Sequence, residues 1–353
     1  MRMIIGGGCG EHGRSCYLLE GSRYNVMVDC GVMAGAAQPM PRLTPEQIRQ
    51  TRYVLLTHSH KDHTGAMGWL LENGFTGCFV MTAETALQLP WTVPSARILP
   101  APEETRSIAL DGMKIKYGMS GHCPGAVWYL LHWEGKRVFF SGDYNLYSYV
   151  YECTLVKGRK ADIAVIDSAY AKEDEDRYRA FSATLGKLLG HTEYTLPPVP
   201  QYGRGLELLL LLMRFHPQVC ITLDSHLQGE LARLKFTKKW IRPDAYGLLR
   251  QWKPRHKSGG PHVLLLADPQ LSSPVGRSVA SIYVQEKRSI LFSGFLDEGS
   301  YAKELVSRGK AMCQILPVHN TDAEYKLLRE ANHFQRTIPC HTDRLNGPTN
   351  LIF

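Results

Sequence analysis

Along the first half of the chain, short apolar runs alternate with polar turns. Tyr24–Asp29, Tyr53–Thr57, Cys78–Met81, Ala126–Trp133, Arg137–Ser141 and Ile163–Asp167 are rich in Val, Ile, Phe and Tyr and bounded by Gly, Asp, Ser or His, a pattern that predicts strands. Helical spacing comes later, over Tyr178–Leu189, Leu206–His216 and Thr321–His333. Leu208–Met213 is apolar on every face, so the second of these helices is expected to be buried on most sides. Pro90–Pro102, with four prolines, and His256–Pro261, with a Gly-Gly pair, read as the softest segments. Strands early, helices in the middle and a return to strand–helix–strand at the end predict an α/β protein carrying an insertion.

Composition narrows the class. With 44% hydrophobic and 21% charged residues over 353 positions, the chain can bury a sizeable core and is not intrinsically disordered. Its longest aliphatic run, Leu208–Met213, falls far short of the ~20 residues of a spanning helix, so no membrane segment is expected. The apolar stretch at the start is too short for a secretory signal. Nine scattered cysteines without a CxxC pair fit reduced thiols in a cytoplasm rather than a disulfide framework.

Charge changes the picture more by its location than by its size. The net charge is +8, and residues 226–260 hold nine basic side chains against two acidic ones. Lys235, Lys238, Lys239 and Arg242 lie there, interleaved with Trp240, Tyr246 and Trp252. Cationic side chains attract phosphates and flat rings stack on bases. The same pattern also fits a solvated helix face with core aromatics.

The segment Thr57-His58-Ser59-His60-Lys61-Asp62-His63 places four metal-capable side chains within six residues, directly after an apolar strand. His58 and His60 are two apart, so on an extended segment they point to one side. Asp62 and His63 follow in a turn and can face a second ion. Imidazole nitrogens with carboxylate oxygens suit Zn²⁺, with Mn²⁺ or Fe²⁺ as alternatives.

HxHxDH resembles the second motif of the metallo-β-lactamase superfamily. Asp29 after Val26-Met27-Val28 matches the first motif, His122 in Ser-Gly-His-Cys-Pro-Gly the third, and Asp143 in Phe-Ser-Gly-Asp-Tyr-Asn the fourth. The second half resembles the β-CASP nuclease branch, RNA-processing type with a compact cap. Asp167 in Val-Ile-Asp-Ser, His319 in Pro-Val-His-Asn and His341 in Pro-Cys-His-Thr match its three further motifs. The Gly-Gly-Gly-Cys-Gly-Glu-His-Gly-Arg-Ser-Cys opening and the passage around Arg204 match as well.

This resemblance implies a metallo-β-lactamase αββα sandwich interrupted by a β-CASP cap, with 1–171 and 318–353 as core and 172–317 as cap. It implies two Zn²⁺: one held by His58, His60 and His122, the other by Asp62, His63 and His341, with Asp143 bridging. The implied activity is hydrolysis of single-stranded RNA, internally or from an end, by a hydroxide between the ions. His319 is the expected general acid, oriented by Asp167, with Asp62 also in the catalytic set. Arg204, Lys235, Lys238, Lys239, Arg242, Trp240 and Trp252 are the expected substrate contacts. Three other functions stay open: a DNA-directed nuclease, a hydrolase of small esters or cyclic nucleotides, and a non-catalytic RNA-binding subunit. The filled ligand positions weigh against the last of these. Oligomeric state is not legible.

Overall fold

The computed structural model describes residues 1–170, 177–255, 260–343 and 350–352. The chain forms two compact units. One comprises Met1–Glu173 with His319–Phe353, the other Asp174–Val318.

The first unit contains two sheets. The seven-stranded sheet runs, in spatial order, Asn350–Ile352, Arg2–Gly7, Cys16–Glu20, Asn25–Val28, Thr51–Leu55, Cys78–Thr82 and Ala96–Leu99. The six-stranded sheet runs His333–Cys340, Lys160–Asp167, Lys136–Phe140, Val127–Trp133, Met113–Met119 and Arg106–Leu110. Strand alternation explains the layering. In Cys16–Glu20, Cys16 and Leu18 join a core with Ile48, Met67 and Leu70 of the helical layer. Tyr17 points the other way and meets Phe140 of the second sheet, ring centroids 5.6 Å apart. Trp128 and Leu130 likewise share a core with Leu328 of the helix Asp322–Glu330. Tyr129 turns to the first sheet, where its hydroxyl donates to the Leu56 carbonyl at 2.9 Å. The result is helix, sheet, sheet, helix.

The expected strands are present, with ends shifted by at most three residues. Pro90–Pro102 differs from the sequence reading, because Ala96–Leu99 forms an exposed edge strand there. Its prolines flank the strand rather than interrupt it, as an edge permits. The last predicted helix ends at Glu330, and His333 opens a strand instead. That strand pairs in parallel with Lys160–Asp167, placing Cys340 opposite Asp167.

The second unit is built on five parallel strands in the order Cys220–Leu223, His262–Leu265, Tyr194–Leu196, Ser289–Phe292 and Met312–Cys313. The middle of the chain was expected to be mainly helical. Strands of two to four residues carry too little alternation to show in a sequence pattern. The helix Arg204–Phe215 is buried from Arg204 to Leu212, in keeping with the apolar run Leu208–Met213. Residues 256–259 of the second soft segment lie outside the described residues. Among the described residues, no helix is long and apolar enough to cross a membrane.

Candidate active site

Every expected metal ligand sits beyond the carboxyl end of a strand or in the loop that follows one. His58, His60, Asp62 and His63 follow Thr51–Leu55, His122 follows Met113–Met119, Asp143 follows Lys136–Phe140, and His341 follows His333–Cys340. Asp167 is the last residue of Lys160–Asp167.

Backbone bonds fix the HxHxDH loop. The Ser15 amide donates to the Asp62 carbonyl and the Cys30 amide to the His63 carbonyl, both at 2.8 Å. The chain passes so close that a Cβ on Gly31 would collide with the Asp62 carbonyl, so glycine is required there. Asp29, in the left-handed region at φ 58°, anchors the start of the loop. Its carboxylate accepts from the Thr57 amide at 2.7 Å and from the Thr57 hydroxyl at 2.8 Å.

Three groups of donor atoms converge, each with its atoms within 4.8 Å of one another: His58, His60, His122 and Asp143; Asp62, His63, Asp143 and His341; and Asp143, Asp167 and His319. Asp143 belongs to all three. Its Oδ2 lies 3.3 Å from His58 Nε2 and 3.4 Å from His122 Nε2, while its Oδ1 lies 3.1 Å from His63 Nε2. In the first group His60 Nδ1 is 3.1 Å from His58 Nε2 and 3.2 Å from His122 Nε2. In the second, His341 Nε2 is 3.0 Å from Asp62 Oδ2.

These residues fit divalent cations. His63 Nδ1 lies 2.8 Å from Asp29 Oδ2, which holds the ring proton on that side and turns the Nε2 lone pair inward. His63 Nε2 is buried and makes no hydrogen bond, although two carboxylate oxygens lie within 3.6 Å. A buried imidazole nitrogen enclosed by carboxylate oxygens is a donor position for a cation.

The metal-free electrostatics agree. Burial pushes His341 down, but Asp143 and the bonded Asp62 outweigh it and hold it up at about 9. His63 is also held well above its usual range; burial opposes this, and Asp143 and Asp62 overcome it. Asp62 is held well below the carboxylate range, since His63 and His341 outweigh its burial. Protons thus occupy the positive role that ions would take.

Beside the donors, His319 Nδ1 lies 3.1 Å from Asp167 Oδ2 and 3.7 Å from Asp143 Oδ2. Asp167 is fully buried, and its carboxylate accepts from the Tyr144 amide at 3.0 Å and the Ala169 amide at 3.1 Å. A capping box of Thr321 and Glu324 starts the next helix and fixes the turn after His319.

The expected substrate residues lie in the second unit. Lys235, Lys238, Lys239 and Arg242 are exposed. Arg242 Nε stands 3.7 Å from Asp244, which also pairs with Arg214 at 2.8 Å. Trp252 is half-buried. Trp240 requires a correction: it is 1% exposed and sits in the core of its unit, so it offers no face to a base. The 3₁₀ turn Lys238–Trp240 aims the two lysines outward and the ring inward, which interleaving in sequence could not reveal. Arg204 is also buried, with its guanidinium against Gly294, rather than standing on an open surface. Phe236 was missed. It is 66% exposed, with Lys235 Nζ 4.8 Å from its ring centroid. His12, whose ring meets His341, was missed as well; its only signal is its place in the glycine-rich opening.

Comparison with known proteins agrees with this geometry. Residues 9–179 match the metallo-β-lactamase superfamily. The chain is 22% identical over 397 residues to cleavage and polyadenylation specificity factor 73 of Drosophila melanogaster, covering 97% of this chain and 58% of that protein. It is 23% identical over 360 residues to endoribonuclease YSH1 of Yarrowia lipolytica, covering 86% of this chain and 43% of that one. Against ribonuclease TTHA0252 of Thermus thermophilus the identity is 22% over 363 residues, covering 88% and 83%. The chain thus spans about half the length of the first two relatives and most of the third. A solved structure, a protein of unknown function from Enterococcus faecalis V583, superposes with a TM-score of 0.60 at 12% identity, covering 99% of this chain and 96% of that one.

Proposed function

The chain is a metallo-β-lactamase superfamily member of the β-CASP type, and from that premise we propose that it is a two-metal phosphodiesterase acting on single-stranded RNA. The observation that carries this is Asp143, whose carboxylate belongs to both histidine groups, with Oδ2 beside His58 and His122 and Oδ1 beside His63. His58, His60 and His122 would hold one cation and Asp62, His63 and His341 the other, with Asp143 available to both. Two divalent ions there, with zinc as the expected species, supply Lewis acidity toward a phosphodiester and an acidified water at neutral pH.

The chain's own residues do the rest. Asp29 fixes the His63 tautomer and Thr57 supports both Asp29 and His58, so the donors need little rearrangement. Asp167 holds His319 by Nδ1, which assigns the transferable proton to Nε2. His319 then protonates the departing 3′ oxygen as general acid. The exposed lysines of 235–239 supply phosphate contacts, which favours a polymer over a small ester. RNA rather than DNA follows from the relatives named as ribonucleases. The cytoplasm is the compartment we propose, since nine scattered cysteines without a CxxC pair fit reduced thiols.

The test incubates the zinc-loaded protein with end-labelled single-stranded RNA, single-stranded DNA and duplex DNA. A product ladder from RNA alone supports this reading, and its spacing separates internal from terminal cleavage. Cleavage of DNA alone, or of none of the three by protein holding two ions, overturns it.

A further inference from the structure

His63 and His58 of the HxHxDH loop each turn their Nδ1 to an oxygen atom. His63 Nδ1 faces the Asp29 carboxylate at 2.8 Å and His58 Nδ1 the Thr57 hydroxyl at 3.1 Å. His341 is different. Its Nε2 faces the donor group beside Asp62, so with that nitrogen's lone pair given to an ion the ring proton would sit on Nδ1, and the group facing that atom is another imidazole: His12 Nδ1, 3.4 Å away. The two rings meet edge to face with centroids 5.5 Å apart. On its far side, His12 Nε2 lies 3.7 Å from Asp343 Oδ1. His341 is also held by its backbone, in the left-handed region at φ 58°, with its amide donating to the Gly8 carbonyl at 2.7 Å. His12 and His341 thus come together because the glycine-rich opening and the segment after His333–Cys340 bond to each other.

We infer that His12 is a positioning residue for the second metal site: it accepts the Nδ1 proton of His341, fixing that ligand's tautomer and ring orientation, with Asp343 steadying His12 in turn. The inference rests on the metal reading above. Removing such a supporting partner typically costs 10–100-fold in metal affinity, so an effect of about that size is expected here. His12 meets the donor groups through His341, a member of the second group, so the effect is expected on that group's ion.

The test is stepwise Co²⁺ and Zn²⁺ titration of the metal-free protein, followed by calorimetry and by the visible absorption of Co²⁺. His12→Ala should weaken one of the two binding steps by about 10–100-fold and alter the Co²⁺ spectrum of that step only. His12→Asn, whose amide oxygen can take the place of Nδ1, should restore most of the affinity. Circular dichroism and the first binding step check that both variants are folded. A parent that takes up two ions, with His12→Ala binding both as tightly and with the same spectrum, overturns the inference alone. A parent that takes up fewer than two ions overturns the metal reading, and this inference with it.

Discussion

Asp167 Oδ2 and His319 Nδ1 lie 3.1 Å apart although 152 residues separate them in the chain. The whole second unit is inserted between them, yet the pair is buried and held from both sides. The Tyr144 amide reaches the same carboxylate oxygen, and the Asn320 side chain donates to the Asp167 carbonyl at 3.2 Å. An orienting carboxylate on Nδ1 is the arrangement a proton-donating histidine needs.

His319→Ala should therefore keep both metals but slow RNA cleavage by about 10²–10⁴-fold. That corresponds to about 3–5 kcal/mol of barrier. On bis-(p-nitrophenyl) phosphate, whose leaving group needs no proton, the variant should recover most of the parent rate. Equal losses on both substrates with metals retained would show that His319 has another role.

Metal uptake should depend on pH with a definite sign. An imidazolium has no lone pair to offer, and His341 keeps its proton up to about pH 9 in the metal-free protein. Binding must displace that proton and the one on His63, so the affinity of the Asp62–His63–His341 site should rise by about one to two log units per pH unit as pH climbs towards 9. Buffer-dependent calorimetric heats would report the released protons. The same raised value means that His341 stabilises the metal-free fold below pH 6.5 and loses that contribution as pH rises towards about 9. A pH-independent metal affinity would contradict the ligand assignment.

Much of the first unit could be read from the chain because its strands are long enough to alternate and its donors crowd into one short loop. Thr51–Leu55 followed by His58, His60, Asp62 and His63 carries both signals within thirteen residues. The second unit was harder, since its two- to four-residue strands lack a period. His12 was invisible as a partner of His341 because 329 residues separate them, and only the folded backbone joins Gly8 to His341. Trp240 and Phe236 lie four positions apart in one basic stretch, and composition does not tell which ring is buried.

The basic stretch makes its own prediction. If two or three of Lys235, Lys238, Lys239 and Arg242 contact phosphates, changing all four to Gln should flatten log K against log[salt] by about 1.4–2.1 units for single-stranded RNA. Turnover of bis-(p-nitrophenyl) phosphate, which has no polymer backbone, should hardly change. Parent affinity and slope in the four-fold variant would reduce the stretch to a solvated face.

Its aromatic rings should separate cleanly. Phe236→Ala, at an exposed ring, should weaken RNA binding by about 1–3 kcal/mol without changing the salt slope or the melting temperature. Trp240→Ala, at a buried ring, should instead cost about 3–5 kcal/mol of stability. Thermal melts beside salt-dependent binding isotherms distinguish the two, and a stable Trp240→Ala that binds weakly would reverse the burial argument.

The most direct measurement is metal content and single-stranded RNA cleavage, determined together for the parent and for Asp143→Ala. With Asp143 facing all three donor groups, the parent should hold two ions per chain and cleave RNA, and the variant should lose at least one ion and the activity with it. A folded Asp143→Ala protein that still holds two ions and cleaves at the parent rate would contradict the account.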